Sequence, residues 1–103
     1  MPRYGMAIVR GRSMLPTLRD GDRLLVRYGG APPRPGALAL VRLPARPLSV
    51  KRVTARTDEG WWVERDNPSE GVDSSTVGAI PERDLLAVVS WRLWPRPRRL
   101  RGG

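Results

Sequence analysis

An all-β domain with little helix is what this sequence predicts. Short apolar runs alternate with Gly, Pro and Asp punctuation along most of the chain. The 103 residues include 11 Gly and 11 Pro, enough to interrupt any long helix. At this length there is room for one domain with one modest core.

The elements follow from that punctuation. Residues 6–9 predict a first strand. Residues 11–17 form a loop or a single helical turn, because Pro16 disfavours a helical Leu15. Asp20-Gly21-Asp22 is a turn, and 24–28 read as a strand. The Gly- and Pro-rich stretch 29–36 is a loop. Residues 38–43 are strand-like and are closed by Pro44 and Pro47. Residues 48–56 alternate well and give the clearest strand. Asp58-Glu59-Gly60 makes a hairpin turn into a return strand at 61–65. Trp61 and Trp62 then point to opposite faces, so at least one belongs to the core. Residues 66–79, rich in Asp, Asn, Ser and Gly, predict a long loop. A short turn at 81–84 leads into a final strand, 85–94. Of Trp91 and Trp94 near its end, one is expected in the core and the other over a sheet edge; the alternative is that they touch a membrane surface beside the basic tail. The domain spans 1–95, and 96–103 are a basic tail expected to be disordered.

Composition narrows the chemistry. There is no Cys and no His, so a thiol nucleophile, a Ser-His-Asp triad and a zinc or copper site are all excluded or disfavoured. No metal or cofactor is implied. The longest apolar run is far short of the roughly 20 residues of a membrane span, and no signal-peptide core is present. A cytoplasmic location is the expectation, consistent with the lack of disulfides. The net charge of +9 invites a nucleic-acid partner. The charges are scattered, however, and no nucleic-acid motif appears, so solvated Arg is the preferred explanation.

Of the 19 basic residues, Lys51 is the single lysine. Arg stays protonated and cannot act as a general base, whereas a desolvated Lys can. Lys51 sits mid-strand in Leu48-Ser49-Val50-Lys51-Arg52-Val53, where apolar neighbours can bury it and lower its pKa. Each tenfold displacement of the proton equilibrium costs about 1.4 kcal/mol. Upstream, Gly11-Arg12-Ser13-Met14-Leu15-Pro16-Thr17 offers a stiff loop that can fix a serine hydroxyl and its N–H. Gly11 is read as making room for another backbone beside Ser13. The bland alternatives are an ordinary loop serine and a lysine that survived an Arg-rich composition by chance. The third feature is the long loop, with Arg65-Asp66-Asn67 and Asp73-Ser74-Ser75. Asp66, Asn67 and Asp73 are expected to hold that loop against the Lys51 strand through side-chain to backbone hydrogen bonds.

Taken in order, Ser13-Met14-Leu15-Pro16-Thr17, Gly21-Asp22-Arg23-Leu24-Leu25-Val26, Val50-Lys51-Arg52-Val53, Asp66-Asn67 and Asp73-Ser74 resemble the signal peptidase I family of Ser-Lys proteases over about residues 6–95. The resemblance implies a coiled β-sheet or barrel catalytic domain. It implies Ser13 as nucleophile and Lys51 as general base, with an acyl-enzyme and cleavage after a small residue. It assigns Gly11, Ser13, Met14 and Val50 to oxyanion and substrate binding, with an extended peptide pairing beside the strands that lead to Ser13 and Lys51.

Several positions depart from the family pattern. Gly11 stands where a Ser or Thr often helps bind the oxyanion, leaving that task to backbone N–H groups, chiefly that of Ser13. Gly71 stands where a Ser usually orients the lysine, so Ser49, Ser69 or Ser74 could serve instead. Ser75 replaces an Arg. Only twelve residues precede Ser13, with no membrane anchor. The missing anchor and Gly60-Trp61-Trp62-Val63 ahead of Asp66-Asn67 resemble the soluble subgroup that matures nickel-type superoxide dismutase. The implied partner is a leader-bearing protein or peptide, possibly that dismutase precursor. The competing readings are a self-cleaving repressor-type domain, for which no Ala-Gly pair is present, and a non-enzymatic basic β-domain that stacks nucleic-acid bases on its aromatics.

Overall fold

Seven strands carry the fold. They are β1 (Arg3–Ile8), β2 (Arg23–Tyr28), β3 (Leu38–Val41), β4 (Ser49–Thr57), β5 (Gly60–Glu64), β6 (Leu85–Trp94) and β7 (Arg98–Arg99). This computed structural model describes residues 1–100. Among them, helix is limited to α1 (Ser74–Val77) and one 3-10 turn, Glu82–Asp84. The strands form one sheet in the order β1-β2-β6-β3-β4-β5, with β7 beside β6, and every pairing is antiparallel. The all-β expectation is met.

β3 explains how one sheet makes two cores. All four of its residues are buried. Leu38 and Leu40 pack with Met14, Leu18, Leu24, Val26, Val50 and Val89 on one face. Ala39 and Val41 pack with Val53, Trp61, Val63 and Ile80 on the other. Opposite side-chain directions at successive residues make an apolar run the pattern that such a doubly covered strand requires. Lys51 is register partner of Ala39 on β4, so it lies on the second face.

Four expectations need correction. The first strand is Arg3–Ile8 rather than 6–9, because β1 pairs with β2 from Arg3↔Tyr28 to Ile8↔Arg23. As an edge strand covered on one face, it tolerates polar residues that masked its start. The loop at 66–79 contains α1, capped by Asp73, which accepts from Ser75 N at 3.0 Å. Trp91 and Trp94 are both exposed, at 41% and 54%; neither is core. Trp61, at 4%, supplies the core tryptophan, and Trp62 is half-buried. The tail also departs from expectation: Arg98–Arg99 pair with Arg92 and Trp91, and Leu100 N donates to Ser90 O at 2.9 Å. Residues 101–103 of that tail lie outside the described residues. No helix of the described residues is long and apolar enough to cross a membrane.

Candidate active site

The segment after β1 is held at both ends. Val9 N donates to Asp22 O, and Gly21 N to Val9 O, each at 2.8 Å. The chain then turns at Gly11, whose φ is +83° and whose N–H donates to Asp20 Oδ1 at 2.7 Å. That φ favours glycine. A Cβ at Gly11 would meet nothing within 4 Å, so the residue supplies the turn and not the close backbone approach expected of it. Met14 and Leu18 then anchor a single turn in the first core, with Leu18 N donating to Met14 O at 2.9 Å. Ser13 is carried on the rim of that turn. Among the described residues nothing accepts a hydrogen bond from the Ser13 N–H.

Lys51 reaches the same point from β4. It is 2% exposed, and its Nζ donates to Ser13 Oγ at 2.7 Å. Burial pushes its pKa below the ordinary lysine value. The negative charge of Asp73 opposes that shift, and the positive charge of Arg65 adds to it. An amine that loses its proton in this position presents a lone pair to the Ser13 hydroxyl. The two residues are 38 positions apart in sequence. A cleft of about 240 Å³ opens beside them, lined by Arg12, Leu48, Ser49, Gly71 and Val72 among others. A larger hollow of about 400 Å³, lined by Arg52, Arg92 and Arg98, contains neither.

The long loop clamps the serine turn. Asn67 N donates to Ser13 O at 2.8 Å, and Asn67 Nδ2 to Arg12 O at 3.0 Å. Asp66 accepts from Thr17 Oγ at 2.6 Å, from Arg52 Nε at 2.9 Å and from Arg52 Nη2 at 2.7 Å. It thereby ties the serine turn to the strand that carries Lys51. Burial alone would raise the Asp66 pKa, but the bonds from Arg52 and Thr17 and the Arg52 charge outweigh it and hold the carboxyl below its ordinary value. Asp73 is buried and accepts from Arg65 N at 2.9 Å and Ser75 Oγ at 2.6 Å. Its pKa is likewise lowered, burial being outweighed by Ser75, the backbone N–H groups and Arg65.

Ser13, Lys51, Asp66, Asn67 and Asp73 are therefore gathered in one place. The lysine-orienting serine is not found among the three considered. Ser74 Oγ accepts from Val63 N at 2.9 Å, Ser69 N donates to Asn67 Oδ1 at 3.0 Å, and the buried Ser49 Oγ has no partner. Gly71 leaves no room for a side chain of its own: its φ is +99°, and a Cβ there would sit 2.6 Å from Ser13 Cβ. Met14 and Val50, expected to bind substrate, put their side chains into the first core. Sequence reasoning did not single out Thr17, Arg52 or Asp20. Arg52 had one signal, its place beside Lys51 on the opposite strand face. Among the described residues no three His, Cys, Asp or Glu side chains cluster as metal ligands.

No curated protein matches the chain. A family model does: the Peptidase S24-like model matches residues 2–89, a span that holds both Ser13 and Lys51. The match agrees with the serine-peptidase reading that the sequence resemblance implies. The chain belongs to the Peptidase S24-like family of serine peptidases.

Proposed function

We propose that this serine peptidase works with a Ser13-Lys51 dyad housed in residues 1–95. The observation that carries the reading is a buried lysine 2.7 Å from a serine hydroxyl in a cleft. Neutral Lys51 takes the Ser13 proton as Oγ attacks the scissile carbonyl. The Ser13 N–H, unengaged among the described residues, faces the developing oxyanion. Protonated Lys51 then gives its proton to the leaving amine, and the amide C–N bond breaks. Water, deprotonated by Lys51, hydrolyses the acyl-enzyme and regenerates Ser13. Asp66, Asn67 and Asp73 position the two partners and touch no reacting atom. No cofactor takes part.

The substrate reading is a leader-bearing precursor, with the nickel-type superoxide dismutase precursor as its narrowest form. Its support is the sequence resemblance at Gly60-Trp61-Trp62-Val63 and Asp66-Asn67. A cytoplasmic site of action goes with that substrate. Incubating the purified protein with that precursor, and reading the products by mass spectrometry, tests it. Wild type should release the leader after a small residue, and Ser13→Ala should release none while keeping its fold. Cleavage by Ser13→Ala at the wild-type rate would refute the dyad. An active dyad that spares the precursor would refute the substrate alone.

A further inference from the structure

Apart from Met1 and Leu48, the large apolar side chains most exposed to solvent lie on two strands. Tyr4, Met6 and Ile8 project from β1; Trp91, Leu93 and Trp94 stand on β6. β2 lies between those strands, and its register joins the two groups into one face. Met6 is opposite Leu25, which is opposite Trp91. Ile8 is opposite Arg23, which is opposite Trp94, with the Arg23 guanidinium 5.4 Å from the Trp94 ring centre. By the same register Arg23, Arg27 and Arg99 stand on this face, and strands β1, β2, β6 and β7 contain not one Asp or Glu.

We propose that this outer face docks the protein reversibly on an anionic lipid bilayer. Aromatic rings, aliphatic side chains and these three arginines, none of them in an ion pair among the described residues, match the headgroup boundary, where apolar parts enter the acyl edge and cations meet lipid phosphates. A second copy fits poorly, because a two-fold contact would press the same arginines against themselves. Nucleic acid also fits poorly, because it would set Met6, Ile8 and Leu93 against phosphate. The docked face ends beside the serine turn, which follows β1 after residues 9–12. Docking would therefore hold the Ser13-Lys51 cleft close to the membrane surface.

Vesicle co-sedimentation tests the proposal without any catalytic readout. Wild type and Ser13→Ala should both bind phosphatidylglycerol-phosphatidylcholine vesicles, weaken as salt rises, and ignore pure phosphatidylcholine. Met6→Ser with Trp91→Ser should lower binding at least about tenfold. Arg23→Gln with Arg99→Gln should lower it by about fivefold per arginine. Bromolipid quenching of wild-type tryptophan fluorescence provides a measurement independent of variant folding. No binding, equal binding to both vesicle types, or no quenching would overturn the proposal. So would a dimer, or an oligonucleotide complex, that the Met6 and Trp91 substitutions abolish.

Discussion

Asp66→Ala should loosen the site before it unfolds the protein. The substitution removes one bond from Thr17 and two from Arg52, and so cuts the tie between the serine turn and β4. A hydrogen bond to a charged group contributes about 1.5–3 kcal/mol, and breaking a fully buried ion pair costs about 3–5 kcal/mol. The Arg52 side chain is 32% exposed against 13% for Asp66, so Arg52 can turn to water once its partner is gone. The expected loss is therefore nearer about 2–3 kcal/mol, or about 10–20 °C in melting temperature for a domain of this size. A displacement of 1 Å at the serine would cost about 10²-fold in turnover. The pH dependence has a definite sign. Because the folded Asp66 pKa is lowered, its stabilisation is complete above the ordinary aspartate value and is lost as pH falls through the folded one. Urea unfolding of wild type and variant at neutral and acid pH measures both. Equal stability at neutral pH, or a gap that does not close in acid, would refute the reasoning.

Lys51→Met should abolish activity yet stabilise the fold. The lowered folded pKa of Lys51 means that its ammonium is a cost at low pH, one that shrinks as pH rises toward the ordinary lysine value. The variant's advantage in chemical denaturation should shrink likewise, and a less stable variant at neutral pH would contradict this. Gly71→Ala should lower kcat/KM about 10²-fold, because its Cβ meets Ser13 Cβ at 2.6 Å. The accompanying strain, about 1–3 kcal/mol, should appear in the melting temperature, and activity within threefold of wild type would show that the serine is not displaced.

The strand carrying Lys51 was legible because it alternates over many residues, and the hairpin after it because Asp58-Glu59-Gly60 is strong turn chemistry. The gathering of Ser13, Lys51, Asp66 and Asn67 was legible only as ordered motifs. No local period tells that residues 38 positions apart meet at 2.7 Å. What was missed depends on partners distant in sequence. In sequence Gly11 suggests a space-maker, but its role is a φ set by the turn and by Asp20. Tryptophan usually buries area, which is at odds with the exposure of Trp91 and Trp94. Burial depends on whether anything covers the outer face of β6, and sequence pattern does not record that. β7 is too short to announce itself, and exists because β6 offers it a free length of backbone.

The dyad itself is tested most directly by the rate at which an activated peptide ester acylates Ser13, read by mass spectrometry across pH. In wild type the rate should rise with pH as Lys51 loses its proton. Lys51→Arg keeps the charge and the stem but cannot accept the proton, so acylation should fall about 10²–10⁴-fold in a protein that remains folded. An undiminished rate in Lys51→Arg, or a flat wild-type profile from about pH 5 to 9 with chemistry rate-limiting, would contradict the Ser13-Lys51 account.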